Sequence, residues 1–297
     1  MKPAPFDYLR PATIDEACAL LARHAEARPI AGGQTLVPMM AMRLARPSHL
    51  VDIARIGALT GIREDGDAIV FGAVTRQVDA ERSALVAGRL PLLARALPWI
   101  GHAPTRNRGT IGGSIANADP AAEIPLVLVT LAGSVVVQDT SARRTIAAHE
   151  LFVGPMTTSL DAGALLIEVR MPVWSEVGVG TGFHEVSARK SDFAYVAAAA
   201  QLALDETGRC TRLAAGIGGA TPVPTRLDAI GQALSGSRLE PGAVAEAVGR
   251  ATSELDIMHD AHASDAYRRR VATALVERAI IDAKADAAAR LRAGGRT

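Results

Sequence analysis

The sequence predicts an α+β protein: an N-terminal part made of two α/β subdomains, followed by a small C-terminal domain with an antiparallel three-stranded sheet and helices. Three observations predict this fold. Helical and extended patterns alternate up to Pro172, a glycine-rich stretch follows at residues 178–182, and beyond it three strand patterns precede the helical ones. The expected domains are residues 1–175, with subdomains of about 1–55 and 56–175, and residues 178–290.

Composition restricts the class of protein. The 297 residues are enough for two or three domains, and with aromatic residues at only 3% the core must be built from Ala, Val, Leu and Ile. A formal net charge of +1 provides no basic surface for nucleic acid, and no apolar stretch reaches the roughly 18 residues of a membrane span. Pro3, Pro5 and Asp7 interrupt any signal-peptide pattern, so we expect a soluble, cytoplasmic protein. The two cysteines, Cys18 and Cys210, are too few for an iron–sulfur cluster held by four cysteines of this chain.

The N-terminal elements follow from capping and periodicity. Thr13-Ile14-Asp15-Glu16 has the capping-box pattern, and the apolar residues after it predict a helix over about 14–24. Pro29-Ile30-Ala31 predicts a short extended entry into a glycine turn, and a loop is expected around Pro104 and Arg108. The other expected elements are strands at 49–53, 68–71, 134–138 and 165–169 and helices at about 90–98 and 123–132.

A change of pattern marks the C-terminal domain. Gly178, Gly180 and Gly182 predict a glycine-rich linker and hence the domain boundary. Beyond it, alternating and apolar runs predict the strands of an antiparallel sheet, and amphipathic runs predict helices. The strands are expected at 183–188, 196–204 and 213–217, and the helices at 227–234, 243–252 and about 267–291.

The functional signal lies in two glycine-rich segments. The first glycine segment is Ile30-Ala31-Gly32-Gly33-Gln34-Thr35-Leu36, and the second runs from Gly109 to Pro120 and includes Thr110, Gly112, Gly113, Ser114, Asn117 and Asp119. Glycine lets the backbone turn tightly and approach a ligand, and successive amide N–H groups can form a nest for an anion. Short hydroxyl and amide side chains can complete the shell around a phosphate. The pair Gly32-Gly33 alone fits a tight structural turn as well, but the two segments together predict a clamp on a diphosphate.

Other site classes find little support in the sequence. No GxGxxG motif follows a predicted strand, and no P-loop or GxSxG nucleophile motif occurs. His259 and His262 lie in a polar stretch that is more typical of a solvated segment than of a metal site. Met39-Met40 is more typical of core packing than of a cofactor contact. We therefore expect no catalytic residue and no metal site in this chain, so redox chemistry would require an organic cofactor.

The two segments together resemble those of a known family. Ala31-Gly32-Gly33-Gln34-Thr35-Leu36 with Pro38-Met39-Met40 is similar to the first flavin element of the FAD-binding medium subunits of molybdenum hydroxylases, the family of xanthine dehydrogenase and carbon monoxide dehydrogenase. Residues 106–114 with Asp119-Pro120-Ala121-Ala122-Glu123-Ile124-Pro125 are similar to the second element. The resemblance covers essentially the whole chain. It implies a two-subdomain FAD-binding domain of the PCMH or vanillyl-alcohol-oxidase type, followed by a C-terminal domain like that of the carbon monoxide dehydrogenase flavoprotein.

The resemblance also implies particular cofactor contacts. Ile100 would pack on the flavin, Glu123 would hydrogen-bond the cofactor, and Leu166 would lie near the adenosine or the ring edge. Phe193 fits either an aromatic over the flavin ring or core packing. His184 stands where the family usually has lysine, which would remove a permanent charge. The complete expected cofactor-binding set is Pro29, Ile30, Ala31, Gly32, Gly33, Gln34, Thr35, Leu36, Ile100, Thr110, Ile111, Gly112, Gly113, Ser114, Asn117, Asp119, Glu123, Leu166, His184 and Phe193.

The function implied by the resemblance is electron transfer within a complex. The chain would bind FAD and pass electrons from two [2Fe–2S] clusters of a small iron–sulfur subunit to an external acceptor, while a large molybdopterin subunit oxidises the substrate. The assembly would be a dimer of heterotrimers, with no nucleic-acid partner and no integral membrane segment. Two alternatives stay open at this stage: a stand-alone flavin oxidase of the same broad fold, and a scaffold subunit with a vestigial flavin site.

Overall fold

A small parallel sheet begins the chain, of which the computed structural model describes residues 2–294. The elements of this segment are β1 (Asp7–Leu9), α1 (Ile14–Arg23), β2 (Ala27–Ile30), α2 (Leu36–Ala41) and β3 (His49–Asp52). Both β1 and β2 pair in parallel with β3, which is therefore the central strand. The helix expected at 14–24 and the strand expected at 49–53 are confirmed. The Thr13 hydroxyl accepts a hydrogen bond from the Glu16 N–H, as the capping-box pattern predicts.

The segment up to Pro172 is built on an antiparallel sheet of five strands within the described residues. Its elements in chain order are β4 (Ile62–Asp65), β5 (Ala68–Gly72), α3 (Gln77–Arg82), α4 (Ala84–Arg89), α5 (Pro91–Ala96), α6 (Ala103–Arg108), α7 (Ile111–Asn117), α8 (Glu123–Thr130), β6 (Ser134–Gln138), β7 (Arg143–Ala147), α9 (Ala148–Leu151), β8 (Phe152–Gly154), β9 (Thr157–Thr158) and β10 (Leu165–Pro172). The sheet order is β4-β5-β10-β6-β7, and β8 and β9 form a separate hairpin. The strands expected at 68–71, 134–138 and 165–169 and the helices expected near 90–98 and 123–132 are confirmed.

The expectation of a loop around Pro104 is wrong, because this segment is helix α6. Pro104 lies in the first turn of that helix. Proline is tolerated there because the first N–H groups of a helix have no intrahelical partner, and its fixed φ already suits the helix. The arginine side chains at 106 and 108 therefore project from a helix rather than from a loop.

The C-terminal part is an antiparallel sheet covered by helices. Its elements are β11 (Gly178–Ser187), β12 (Ala194–Leu204), β13 (Cys210–Gly218), β14 (Thr225–Arg226), α10 (Asp228–Leu234), α11 (Pro241–Ser253) and α12 (Asp265–Gly294). The sheet order is β11-β12-β13-β14. The three expected strands are confirmed, and the short β14 adds a fourth strand that the sequence analysis did not include.

The glycines predicted to form a linker lie instead inside β11. A Cβ atom at Gly180 would overlap the carbonyl oxygen of Ala283, and one at Gly182 would overlap that of Ala279. Both carbonyls belong to α12, so these glycines allow the helix backbone to lie directly on the strand. The expectation of a linker is wrong because glycine here serves close packing, a role that a sequence pattern does not distinguish from a turn.

Helix α8 joins the N-terminal and C-terminal cores. Every residue from Ile124 to Thr130 is buried, as is typical of a helix that is apolar on all sides. The helix packs against β12 and β13, where a Cβ atom at Gly216 would overlap the Thr130 hydroxyl. This packing fixes the position of Glu123, the first residue of the helix. Within residues 2–294, no helix is both long and apolar enough to cross a membrane.

Candidate functional site

A cleft of about 930 Å³ is lined by parts of the chain that are distant in sequence. They include the first glycine segment, the second glycine segment and the loop Ser191–Phe193 that follows β11. The volume lies at the upper end of the range of about 300–1,000 Å³ typical of small-molecule sites. The cleft is therefore large enough for an extended ligand such as a dinucleotide.

The two glycine segments lie against each other at the floor of this cleft. A Cβ atom at Gly32 would overlap the carbonyl oxygen of Arg108 and would lie 2.9 Å from the Cα of Gly109. A Cβ atom at Gly113 would lie 3.8 Å from the Cβ of Ala31. Glycine at position 32 is therefore required by the approach of one protein segment to the other.

The first glycine segment presents a run of free amide groups. Among the described residues, the backbone N–H groups of residues 32–36 have no hydrogen-bond acceptor, and all five residues line the cleft. Gly33 has a φ of +68°, a left-handed conformation that lets successive N–H groups converge. The segment then enters α2 at Leu36. This arrangement is a nest suited to an anion.

The second glycine segment is the start of helix α7. Thr110 is the N-cap, and its hydroxyl accepts a hydrogen bond of 3.1 Å from the Gly113 N–H. The N–H groups of Ile111 and Gly112 donate to the backbone oxygens of Thr75 and Ala73 at 2.9 Å each. The first amides of the helix are thus already bonded to the protein. The clamp predicted from the two glycine segments is therefore corrected: the first segment offers free amides, whereas the second is a capped helix start.

Glycine at position 112 is required by close packing within the protein, whereas the sequence suggested the approach of a ligand. A Cβ atom at this position would lie 2.7 Å from the Cα of Ala73, so the helix backbone rests directly on the residue that follows β5. The side chain of Ile111 points into the core and is fully buried. This residue therefore does not line the cleft, whereas Gly112 and Gly113 do.

Two acidic residues line the wall next to α8. Burial raises the pKa of Glu123 to about 7, and the negative charge of Asp119 adds to this effect. Burial also raises the pKa of Asp119, although its Oδ1 accepts a hydrogen bond of 2.9 Å from the Ala121 N–H. At neutral pH, Glu123 can therefore hold a proton and donate a hydrogen bond into the cleft.

Apolar side chains line another part of the cleft. Ile100 and Leu166 are buried and line the cleft, while Phe193 is 71% exposed at its rim. Arg106 holds the turn at Ile100 in place. Its Nη1 donates a hydrogen bond of 2.9 Å to the Ile100 carbonyl oxygen, and its Nε forms an ion pair of 2.8 Å with Oε2 of Glu81. Phe193 is thus placed at the cleft rather than in the core.

Every residue of the expected cofactor-binding set lines the cleft except Ile111 and His184. His184 lies on the face of β11 that packs against α12, where its Nε2 is 2.8 Å from Oδ2 of Asp282. Since side chains alternate along a strand, a residue of that register faces away from the N-terminal domain. His184 therefore does not line the cleft in which the cofactor contact was expected.

Several cleft residues were missed by the sequence analysis. Arg28 and Arg46 line the wall of the first subdomain, and Met39 lines the cleft although it was predicted to be core packing. Gln77 is 5% exposed and lies beside Gly109, and its Oε1 has no hydrogen-bond partner among residues 2–294. Arg28, Arg46 and Gln77 belong to no motif, so only tertiary proximity identifies them, whereas Met39 lies within the first flavin element but was assigned to packing. In the described part of the chain, no cluster of three His, Cys, Asp or Glu residues could hold a metal ion.

Comparisons with known proteins agree with this geometry. The family described as "FAD binding domain in molybdopterin dehydrogenase" matches residues 4–174, and "CO dehydrogenase flavoprotein C-terminal domain" matches residues 181–283. The chain is 39% identical to 6-hydroxypseudooxynicotine dehydrogenase complex subunit alpha of Paenarthrobacter nicotinovorans, over 95% of this chain and 96% of that protein. It is 35% identical to the carbon monoxide dehydrogenase medium chain of Afipia carboxidovorans, over 97% and 99%. A solved structure of reconstituted CO dehydrogenase from Oligotropha carboxidovorans matches with a TM-score of 0.93 and 34% identity, over 96% of this chain and 100% of that one.

Proposed function

The chain belongs to the family of FAD-binding medium subunits of molybdenum hydroxylases, and we propose that it carries electrons through FAD from iron–sulfur clusters of a partner subunit to an external acceptor. The observation that carries this proposal is the run of free amides from Gly32 to Leu36 at the floor of a cleft sized for a dinucleotide. Bound FAD supplies the redox chemistry, and the chain supplies binding, orientation and electrostatics.

The diphosphate of FAD would bind to the first glycine segment. The N–H groups of residues 32–36 can donate to phosphate oxygens without losing any protein hydrogen bond. The guanidinium groups of Arg28 and Arg46, which line the same wall, offset part of the negative charge. Ser114, on the first turns of α7, can complete the shell with its hydroxyl.

The ring system would lie against the apolar wall. Ile100 provides an apolar surface fixed by Arg106, and Phe193 at the rim can cover an aromatic ring. Glu123 can donate a hydrogen bond to an acceptor atom of the cofactor, because its pKa of about 7 leaves about half of it protonated at neutral pH and most of it protonated below. None of these groups needs to act as a nucleophile or a base for electron transfer.

The partners in this proposal are a large molybdopterin subunit that oxidises the substrate and a small subunit with two [2Fe–2S] clusters, in a dimer of heterotrimers. Two observations support a multi-subunit arrangement. Relatives covering nearly the whole chain are named as medium chains or subunits of complexes. The chain itself contains two cysteines, both of them buried, so four-cysteine clusters must belong to other chains.

A visible spectrum of the purified chain tests the cofactor assignment. We expect flavin absorption bands at close to one FAD per chain, and release of the flavin into the supernatant on acid precipitation. A folded, colourless chain that does not bind added FAD would contradict the proposal and favour a scaffold subunit. Flavin that stays with the precipitate, together with substrate turnover by the chain alone, would favour a stand-alone oxidase.

The electron route requires the partner subunits. We expect the isolated chain to hydroxylate no substrate, and the reconstituted complex to reduce its FAD when substrate is added. Native pull-down of the chain should recover a molybdopterin subunit and an iron–sulfur subunit. Recovery of the chain without either partner, or flavin in the complex that stays oxidised during turnover, would refute this route.

A further inference from the structure

Gln77 is a buried glutamine that lines the cleft where the two glycine segments meet. It is the first residue of α3, and it is 5% exposed. Its Oε1 is buried and has no hydrogen-bond partner among residues 2–294. A buried amide oxygen without a donor costs free energy in the free chain, and a ligand with a suitable donor removes this cost.

The backbone holds Gln77 against the second glycine segment. Its N–H donates a hydrogen bond of 2.9 Å to the carbonyl oxygen of Gly109, and the preceding residue, Arg76, forms a β-bridge with Thr110. A Cβ atom at Gly109 would lie 2.5 Å from Oε1 of Gln77 and 2.8 Å from its Cδ. A side chain at position 109 would therefore displace the Gln77 amide from its place in the cleft.

Gly109 also lies against the first glycine segment. A Cβ atom at Gly32 would lie 2.9 Å from the Cα of Gly109. Gly32 is the first residue of the run of free amides that forms the nest. The Gln77 amide and the start of the nest therefore contact the same glycine.

Helix α3 is also joined to the wall on which the ring system would lie. It packs against α6, and Glu81 of α3 forms an ion pair of 2.8 Å with Arg106 of α6. Arg106 in turn donates a hydrogen bond of 2.9 Å to the carbonyl oxygen of Ile100, which lines the apolar wall. Gln77 thus belongs to the part of the cleft between the nest and the apolar wall.

The chemistry of the unpartnered atom limits which part of FAD it can meet. An amide oxygen is an acceptor, and the ionised oxygens of a diphosphate are acceptors as well, so the two do not bond. Between its diphosphate and its ring system, FAD has a ribityl chain whose hydroxyl groups are donors. The last torsion of a glutamine side chain is broad and roughly two-fold, so the Gln77 amide can turn its oxygen toward such a hydroxyl.

We propose that Gln77 is a cofactor-binding residue whose Oε1 accepts a hydrogen bond from a ribityl hydroxyl of FAD. This inference rests on the proposed FAD site and adds a contact to it. The hydrogen bond orients the chain that joins the diphosphate to the ring system. It also favours FAD over nucleotides that have the diphosphate but no ribityl chain, because only FAD satisfies the buried oxygen.

The test compares the Kd of the full chain for FAD and for ADP, which has the adenosine and the diphosphate but no ribityl chain. Gln77→Met keeps the length of the side chain and removes the amide. We expect its Kd for FAD to rise about 3- to 10-fold, the effect of one neutral hydrogen bond, and its Kd for ADP to stay within twofold of the wild type. Gln201→Met is the matched control, since Gln201 is 2% exposed and its Oε1 also lacks a partner, but it does not line the cleft. It should leave both Kd values within twofold of the wild type.

Modified ligands provide a second measurement, on the wild-type chain. Among FAD analogues that each lack one ribityl hydroxyl, we expect one to bind about 3- to 10-fold more weakly than FAD. Gln77→Met should bind that analogue and FAD equally, because the two changes remove the same hydrogen bond. The inference is overturned if no analogue binds more weakly, if Gln77→Met keeps the wild-type Kd for FAD, or if its losses for FAD and ADP are equal. A wild-type chain that binds no FAD would instead refute the proposed function itself, so the two failures are distinguishable.

Discussion

Gly32→Ala is expected to weaken FAD binding strongly while the chain stays folded. The new methyl group would overlap the Arg108 carbonyl oxygen and would come within 2.9 Å of the Gly109 Cα. Because both neighbours are backbone atoms, the contact cannot be relieved by a change of rotamer. Overpacking of this kind costs about 1–3 kcal/mol.

The free-energy cost of this overlap falls mainly on the FAD-bound state. The first glycine segment lies at the surface of the cleft, so in the free chain it can move away from Arg108 and avoid the overlap. In doing so it displaces the amides of residues 32–36 that form the nest. An expected loss of about 1–3 kcal/mol corresponds to a Kd that is roughly 5- to 150-fold higher.

Fluorescence titration with FAD measures the Kd, and urea unfolding measures the stability of the apoprotein. Gly249→Ala is the control, because a Cβ atom there meets nothing within 4 Å in the interior of α11. It should leave the FAD affinity unchanged and stabilise the fold by about 0.5–1 kcal/mol, the helix preference of alanine over glycine. A folded Gly32→Ala variant whose Kd is within twofold of the wild type would refute the role assigned to this contact.

Three further predictions concern stability. Gly182→Ala places a methyl group on the Ala279 carbonyl oxygen and should lower the free energy of unfolding by about 3 kcal/mol or more in urea titrations; a loss below 1 kcal/mol would mean that α12 does not lie on β11 as described. Thr110→Ala removes the N-cap of α7 and should cost about 1 kcal/mol, whereas Thr110→Ser keeps the capping oxygen and should cost less; equal losses would contradict the cap. Burial raises the pKa values of Glu123 and Glu185 to about 7 and about 8, from an unfolded value near 4.3. The free energy of unfolding is therefore highest, as far as these two groups are concerned, below about pH 4, and it decreases as the pH rises through 7 to 8. The melting temperature of the apoprotein should therefore fall from pH 5 to pH 9, and it should fall less in Glu185→Gln. An equal fall in the wild type and the variant would contradict the assignment of this pH dependence to the buried glutamates.

Local patterns were sufficient for the longer elements. The capping box at Thr13 predicted α1, and the apolar runs at 134–138 and 165–169 predicted two strands of the five-stranded sheet. These predictions succeeded because the signal lies within a few residues and does not depend on a distant partner. Strands β4 and β7, which carry charged residues, and the short helices α3 and α4 gave no such signal.

Glycine was the residue most often misinterpreted. The sequence treated Gly178, Gly180 and Gly182 as a linker, and the structure places them under a helix. It assigned Gly112 to the approach of a ligand, whereas this glycine allows α7 to rest on Ala73. A missing side chain can serve a turn, a ligand or a neighbouring backbone, and only the neighbour in space distinguishes these uses.

The sequence by itself determined the fold class and the two glycine segments, and all but two of the residues that it assigned to the cofactor line the cleft. It did so because spacing and residue type are local properties of the chain. Only the tertiary structure decided which amides remain free to bind an anion. Thr110 caps the Gly113 N–H locally, but the acceptors for the Ile111 and Gly112 N–H groups are the carbonyl oxygens of Thr75 and Ala73, just after β5 and far earlier in the chain. It also decided that His184 faces α12 and that Glu185 lies on the opposite face, because the register of β11 places adjacent side chains on opposite faces of one sheet.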